Sequence, residues 1–480
     1  MDCISGILEE FKGLSRVPHG SWNEEAESAY LTERLRAMGL SPVTDSVHNV
    51  MADVPATPGH ENAPRVILQG HMDMVCAVKP GSAFDHRRDS VTIVVEDGIL
   101  KTDGRSSLGA DNNLGNAVVL WLLNQNLPHG PLRLLFTVAE EVGLRGAGAL
   151  DPAWLQGAKY LLNTDGFHLG RMVVSSAGGR RETFRRTLDT TPTVGRYAYE
   201  ISFSGYPGGH SGDDIDKNRP NPIKLLVEFL TELGTETDYE LAELSGGTGH
   251  NVIPTWARAV IVLPGKKEWC DFDAPIRLSE RVYEQISRIA PDAEWRAWEL
   301  SEIPMRVWTA SGKESTLSLL DGLYNGVYAW HRDFPGIVSA SANLGKVEVA
   351  GGQIEVSAFI RCTDPADEKT LTDRHLSLAG AAGFTSEANG YPSWLGDSKN
   401  ELALLMSGLY RARTGKEMEV TAVHVGLEPS FFQEKAPDLI MVSTGPDIID
   451  AHSVDERAPL ESLVPYTRLL ADTLEELAGV

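Results

Sequence analysis

The apolar positions in the first third of the chain show two spacings, one typical of strands and one typical of helices. Residues 5–38 have helical spacing that ends at Gly39, a residue type favoured just after a helix. Residues 113–126, which end before Pro128, predict an amphipathic helix. Three short apolar runs predict strands: residues 65–69, 132–139 and 159–163. This alternation predicts an α/β domain in which helices cover a sheet.

A different pattern begins near Thr187. Residues 197–203 alternate as a strand does, a glycine-rich loop follows, and residues 222–233 predict a helix. Similar strand and helix units recur at residues 257–263, 278–289, 316–329 and 353–361. The stretch therefore predicts a second α/β domain of about 200 residues.

The first pattern returns after about Ser393. The last segment predicts a helix at residues 400–414, a strand at 439–443 and a final helix at 460–477. The simplest architecture is a discontinuous main domain, residues 1–186 and 393–480, with a large insertion at residues 187–392.

Composition and charge exclude several classes of protein. The 480 residues include 43 Lys and Arg against 67 Asp and Glu, for a formal net charge of −24, and 42% are hydrophobic. That apolar fraction is enough for a core in each domain, so intrinsic disorder is not expected. Nucleic acids and anionic membranes are bound through clusters of Lys and Arg. We therefore expect neither as a partner.

The amino terminus and the cysteines indicate a cytoplasmic protein. Glu9, Glu10 and Lys12 lie where a signal peptide would be apolar. The longest apolar run, residues 117–123, is far shorter than the roughly 20 residues of a membrane span. The four cysteines are far apart, which argues against a disulfide framework and a thiolate zinc site.

Residue types that bind metal ions follow several of the predicted strands. They are His71 and Asp73 in HMD, Asp111 in GADNN, Glu140 and Glu141 in AEEVG, Asp165 in NTDG and His452 in AHSVDE. Each motif alone also fits a structural role, such as a hydrogen-bonded histidine, a helix N-cap or an Asp-Gly turn. Because open α/β sheets build their sites at the carboxyl ends of strands, we expect these side chains to meet.

The combined set of side chains suits two divalent ions. Two histidines and three carboxylates favour Zn²⁺, and Mn²⁺ or Co²⁺ also tolerate such a set. Five ligands are too many for one catalytic zinc, which takes three protein ligands and keeps a position for water. If one carboxylate bridges, the set supplies three ligands to each of two ions. The remaining acid of Glu140 and Glu141 is then free to act as a base.

In combination these motifs resemble the M20 metallopeptidase family, most closely its aminoacyl-histidine dipeptidase (Xaa-His dipeptidase) branch, over essentially the whole chain. The resemblance implies a zinc-peptidase catalytic domain, with a mixed sheet covered by helices, and an inserted α+β lid domain. It implies that His71 and Asp165 bind the first metal ion, Glu141 and His452 the second, and Asp111 both, with Glu140 as general base and Asp73 orienting His71.

Three residues of the inserted domain resemble substrate-binding residues of that family. His210, in GGHSG, matches a lid residue that contacts the scissile carbonyl, where a hydrogen-bond donor stabilises the developing oxyanion. Asn251 and Arg361 resemble the residues that hold the substrate's terminal carboxylate, which an Arg can bind through two hydrogen bonds. Outside the family, GGHSG also fits a glycine-rich turn, and an Arg at a strand end is often part of a surface salt bridge.

Two stretches depart from the family's motifs. Asp216 and Asn218 stand where His and Gly are expected, and Pro429 and Ser430 stand where Cys and Gly are usual. Neither change alters a proposed ligand. We expect both to affect substrate preference more than the reaction.

The predicted function is a cytoplasmic dipeptidase that hydrolyses Xaa-His-type and related dipeptides with a free C-terminus, using water activated by two metal ions. One alternative is an N-acyl amino acid deacylase or desuccinylase of the same family, a branch whose chains are usually shorter. Another is a catalytically silent metal-binding or peptide-binding protein, which would lack a ligand or the base. The sequence leaves open the preferred residues beside the scissile bond, and whether the protein is a monomer or a homodimer in which His210 serves the other chain.

Overall fold

The computed structural model describes residues 2–266 and 288–479. The chain divides into two compact units. The first unit comprises Met1–Ser176 and Tyr391–Val480, and the second comprises Ala177–Gly390. The predicted α/β fold class is confirmed, since both units combine helices with sheets. Most of the element predicted at residues 278–289 lies outside the described residues.

Ten α-helices lie in the described part of the chain. They are α1 Cys3–Ser15, α2 Glu25–Ala37, α3 Ala110–Leu123, α4 Arg145–Ala149, α5 Pro222–Glu236, α6 Ala310–Gly322, α7 Pro365–Ala381, α8 Glu401–Thr414, α9 Pro429–Lys435 and α10 Leu463–Ala478. None of these described helices has the length and apolar character needed to cross a membrane.

The strands of the described residues form four sheets. They are β1 Val43–Thr44, β2 Val50–Val54, β3 Arg65–His71, β4 Ile93–Glu96, β5 Ile99–Thr102, β6 Leu132–Thr137, β7 Ala158–Asn163, β8 Arg171–Ser176, β9 Gly178–Thr187, β10 Thr190–Pro192, β11 Tyr197–Ser204, β12 Glu240–Gly247, β13 Ala257–Leu263, β14 Glu294–Glu299, β15 Arg306–Trp308, β16 Gly326–Trp330, β17 Val338–Ala350, β18 Gln353–Cys362, β19 Thr385–Tyr391, β20 Glu419–Val423, β21 Ile440–Ser443 and β22 Arg457–Pro459.

The first unit is built on a mixed sheet with the strand order β1-β2-β6-β3-β7-β21-β8-β20. Its central strands β6, β3, β7 and β21 are parallel, and β2 and β8 join them as antiparallel neighbours. Every residue of β6 is buried. Parallel strands that are covered on both faces have continuous apolar sequences, which is why these strands could be predicted. Their carboxyl ends share one edge of the sheet.

Helix α3 lies against that sheet and differs from its prediction. It begins at Ala110, three residues before the expected start, and twelve of its fourteen residues are buried. Helix α3 contacts α1, α10 and strand β3. A helix covered in this way has no broad solvent face, so the expectation of an amphipathic helix was wrong.

The second unit contains a nine-stranded sheet with the order β14-β11-β13-β12-β17-β18-β9-β19, and β16 pairs with β17. Helix α5 packs on β11, β12 and β13, and α7 packs on β17 and β18. Apolar residues of the sheet and helices form one large core, which includes Phe203, Phe229 and Val356. The strand predicted at residues 257–263 is β13, whereas β17 and α7 were not predicted.

Helix α3 approaches the end of β7 closely because residue 115 is glycine. A Cβ atom at Gly115 would lie 2.6 Å from the Thr164 hydroxyl oxygen and 2.8 Å from the Thr164 carbonyl oxygen. Thr164 directly precedes Asp165, one of the predicted ligands. The space left by Gly115 therefore affects the position of that residue.

We predict that Gly115→Ala lowers the free energy of unfolding by about 1–3 kcal/mol, the usual cost of an added methyl group in a packed core. Gly408→Ala in α8 is the matched control, because no described atom lies within 4 Å of a Cβ added there. Ala should stabilise that helix by roughly 0.5–1 kcal/mol. Urea denaturation monitored by circular dichroism measures both changes. Equal stability of Gly115→Ala and wild type would contradict this packing.

Candidate metal centre

The structure brings the predicted metal-binding residues of the first unit to one edge of its sheet. His71 is the last residue of β3, Asp111 is the second residue of α3, Glu140 and Glu141 follow β6, Asp165 follows β7, and His452 lies in the loop after β21. Donor atoms of His71, Asp111 and Glu141 lie within 4.8 Å of one another. The expectation that these motifs meet in space is therefore confirmed by the geometry.

Asp111 lies between the two histidines. Its Oδ1 is 3.0 Å from His71 Nε2, and its Oδ2 is 2.9 Å from His452 Nε2. Each oxygen of this one carboxylate thus faces a different imidazole. This is the arrangement expected of a carboxylate that bridges two ions.

One further carboxylate lies on each side of Asp111. Asp165 Oδ1 is 3.6 Å from His71 Nε2, and Glu141 Oε1 is 3.1 Å from His452 Nε2. The structure therefore forms two groups of three donors that share Asp111. Each group contains one nitrogen donor and two carboxylates, which fits the three protein ligands of a catalytic zinc site.

The hydrogen-bonding capacity of these side chains also fits bound cations. His452 Nε2 faces oxygens of both Asp111 and Glu141, and one N–H group cannot satisfy two carboxylates. Glu141 Oε1 is buried, and it shares that one His452 nitrogen with Asp111. Leaving a buried polar group unpaired is costly. A divalent cation on each side of Asp111 would use all of these donor atoms at once.

The same crowding shifts the pKa values of the group. Burial raises the pKa of Glu141 and that of Asp165, and the charge of Asp111 adds to both shifts. Burial lowers the pKa of His71, but the charge of Asp111 and hydrogen bonds to Asp111, Asp165 and Asp73 together outweigh this and leave the pKa of His71 well above its ordinary value. Hydrogen bonds to Asp111 and Glu141 raise the pKa of His452. The site therefore concentrates negative charge in a buried place, which favours cations.

Glu140 lies next to this group. Burial raises the pKa of its carboxyl well above the ordinary value, and the charges of Glu141 and Asp165 add to that shift. A carboxylate whose pKa is raised is a stronger base than an ordinary carboxylate. The environment of Glu140 is thus suited to a general base.

Asp73 connects two parts of the site. His71 Nδ1 is 2.9 Å from the Asp73 carbonyl oxygen and 3.5 Å from its Oδ1. The Asp73 carboxylate also accepts hydrogen bonds from the backbone N–H groups of Glu140 and Glu141, at 2.9 and 3.2 Å. The family resemblance predicted the contact between Asp73 and His71. It gave no signal for the hydrogen bonds from Glu140 and Glu141, which lie 67 and 68 residues after Asp73.

Two buried glutamates of the last segment were not predicted as site residues. Glu456 accepts hydrogen bonds from four successive backbone N–H groups, residues 108–111, at 2.8–3.3 Å. Glu428 accepts hydrogen bonds from the Thr137 hydroxyl, at 2.7 Å, and from the Gln69 side-chain amide. Both acids belong to motifs already noticed for other residues. The sequence signal that could have identified them is an acid that lies in such a motif and has no assigned role.

In the second unit, the structure groups the predicted substrate-binding residues. Arg361, on β18, is 4% exposed, and its Nη2 is 3.2 Å from His210 Nε2. His210 Nδ1 is 3.1 Å from Asp213 Oδ2. The Asn251 carbonyl accepts the backbone N–H of Ser211 at 2.9 Å. His210, Arg361 and Asn251 therefore belong to one local cluster.

Comparisons with known proteins agree with this geometry. The sequence model of peptidase family M20/M25/M40 matches residues 67–476. The chain is 32% identical to the cytosol non-specific dipeptidase of Escherichia coli (strain K12) over 478 residues, which are 98% of this chain and 97% of the relative.

Solved structures give the same result. Aminoacylhistidine dipeptidase from Vibrio alginolyticus matches with a TM-score of 0.87 and 28% identity, over 98% of this chain and 96% of that chain. A tripeptidase from Staphylococcus aureus matches with a TM-score of 0.57 and 18% identity over 99% of both chains, which shows a shared fold. The chain belongs to peptidase family M20/M25/M40 and is a peptide-bond hydrolase.

Proposed function

We propose that the protein is a metal-dependent dipeptidase that hydrolyses Xaa-His-type and related dipeptides. The observation that carries the proposal is Asp111, whose two oxygens face different histidines, with a further carboxylate on each side. The names of two relatives, cytosol non-specific dipeptidase and aminoacylhistidine dipeptidase, support dipeptide substrates. They do not favour the alternative of an N-acyl amino acid deacylase.

Two divalent ions would complete the site. His71 and Asp165 would bind one ion, Glu141 and His452 the other, and Asp111 both. Such ions supply positive charge that polarises a substrate carbonyl and lowers the pKa of water. The nitrogen and oxygen donors suit Zn²⁺ first, with Mn²⁺ and Co²⁺ as alternatives.

Glu140 would move the proton in the reaction. Its carboxylate would accept a proton from the attacking water and then donate it to the amino group that leaves the peptide bond. The hydrogen bond from its backbone N–H to Asp73 fixes the start of its side chain. His210 would donate a hydrogen bond to the carbonyl oxygen as negative charge develops there.

Arg361 and Asn251 would bind the terminal carboxylate of the substrate. The guanidinium group of Arg361 presents donors in a planar fork that matches a carboxylate. Its Nε donates to the Ser211 hydroxyl at 3.4 Å, which helps to hold the group in place. A site that requires this carboxylate would act on short peptides with a free C-terminus. By analogy with the Escherichia coli relative, we place the activity in the cytosol.

The catalytic and lid assignments of residues 1–186, 187–392 and 393–480 remain part of this proposal. The proposal also includes a homodimer, with a monomer as the alternative assembly state. Asp216, Asn218, Pro429 and Ser430 remain candidates for residues that alter substrate preference.

Glu140→Ala is expected to lower kcat for a Xaa-His dipeptide by about 10²–10⁴-fold, the usual contribution of a general base. Metal content should stay at the wild-type value, because Glu140 is not a proposed ligand. Glu33→Ala is the matched control, since the Glu33 side chain is exposed on α2. Rates and metal content are measured on the same samples. Wild-type turnover in Glu140→Ala would contradict its role as base.

Substrate discrimination tests the rest of the proposal. Wild type should hydrolyse a free dipeptide faster than its C-terminal amide, an N-acetyl amino acid or an N-succinyl amino acid. Arg361→Ala should raise KM for the dipeptide by about 10–100-fold, as expected from losing hydrogen bonds between charged groups, and should lose the preference over the amide.

Arg258→Ala serves as the control for this experiment, because Arg258 belongs to the same unit and its side chain is 45% exposed. It should keep the wild-type KM. If Arg361→Ala still discriminates against the amide as wild type does, Arg361 does not bind the carboxylate. If wild type prefers the N-acyl amino acids, the enzyme is a deacylase.

A further inference from the structure

Four successive backbone N–H groups in the loop after β6 donate to side-chain oxygens. Val138 donates to Asn49 Oδ1 at 3.0 Å, Ala139 to Glu24 Oε1 at 2.9 Å, and Glu140 and Glu141 to the two oxygens of Asp73 at 2.9 and 3.2 Å. The loop that carries the proposed base and a proposed ligand is thus held by three side chains. Two of these, Glu24 and Asn49, precede residue 67, where the match to the family begins.

Ala139 has a strained backbone conformation in this loop. Its φ of +50° lies in the left-handed region, which residues with a Cβ atom rarely adopt. Ala139 is buried, and its carbonyl oxygen accepts the Arg145 N–H at 3.0 Å. A strained conformation of this kind persists only where the surrounding contacts determine it. The hydrogen bond to Glu24 is one of those contacts.

Glu24 is itself held in a buried place. Glu24 directly precedes α2, and the residue is 6% exposed. Burial raises the pKa of Glu24, and the nearby charge of Asp73 adds to the shift. An acid in such surroundings needs a compensating hydrogen bond, and the Ala139 N–H supplies one. The pair Glu24 and Ala139 thus satisfies two buried polar groups with one bond.

We propose that Glu24 is a positioning residue for the loop that carries Glu140 and Glu141. By accepting the N–H of Ala139, Glu24 holds the left-handed turn from which both side chains leave the backbone. Ser21, three residues earlier, donates its hydroxyl to Asp73 Oδ2 at 2.8 Å. The segment before α2 therefore supports this loop both directly and through Asp73. The inference rests on the proposed roles of Glu140 and Glu141.

The role requires an acceptor oxygen at the right distance, and charge is not needed. Glu24→Gln keeps such an oxygen at the same reach, whereas Glu24→Asp keeps the charge and shortens the side chain. Glu24→Ala removes the acceptor. Glu25→Ala is the matched control, because Glu25 is the next residue and is exposed.

The experiment uses full-length protein loaded with Zn²⁺. Glu24→Ala and Glu24→Asp should lower kcat for a Xaa-His dipeptide by about 10–100-fold and change KM little, as expected when a catalytic group is misplaced by about 1 Å. Hydrogen exchange in a peptide spanning residues 138–141 should become faster in both variants, with or without Zn²⁺. Glu24→Gln and Glu25→Ala should match wild type in both measurements.

Several results would overturn the proposal. One is wild-type kcat and wild-type exchange in Glu24→Ala, and another is a Glu24→Gln variant that is as impaired as Glu24→Asp. A lower unfolding midpoint with unchanged kcat would also overturn it, because that result indicates a purely structural role. If Glu24→Ala does not fold, the comparison of Gln with Asp at this position decides. Failure of the proposed function would differ, because wild type itself would then not hydrolyse dipeptides.

Discussion

The arrangement of the first unit depends on the contacts that the Asp111 carboxylate makes with two histidines. This carboxylate connects His71, at the end of β3, with His452, which lies 341 residues after Asp111 along the chain. Its place is determined by the start of α3, where Glu456 accepts four backbone N–H groups. The last segment of the chain therefore supplies both one of the histidines and the support for the helix that carries the shared carboxylate.

Burial gives this arrangement its chemical character. Asp111, Asp165 and Glu141 lie close together, and burial opposes the charged forms of the last two. Without cations, such a cluster is a source of instability in the fold. With bound cations, the same donors would become ligands, so the stability lost at the site would serve function. The loop of Glu140 and Glu141 follows the same principle, because its left-handed turn at Ala139 depends on a hydrogen bond that the Ala139 N–H donates to the distant Glu24 side chain.

The sequence predicts the centre of the first unit better than its surroundings. Strands β3, β6 and β7 are buried on both faces and so have apolar runs, and each is followed by a polar motif that meets the others in space. Strand β19 has mostly exposed residues without alternation, so nothing in its sequence predicts a strand. Glu24 and Glu456 could not be assigned, because their partners lie more than 100 residues away and no local pattern reports such contacts.

We propose that Asp111 binds both of the metal ions that this site would hold. Anomalous diffraction at the zinc edge, from crystals of protein loaded with Zn²⁺, tests it most directly. We expect two peaks, one beside His71 and Asp165 and one beside Glu141 and His452, with Asp111 in contact with both. A single peak, or two peaks of which only one contacts Asp111, would contradict it.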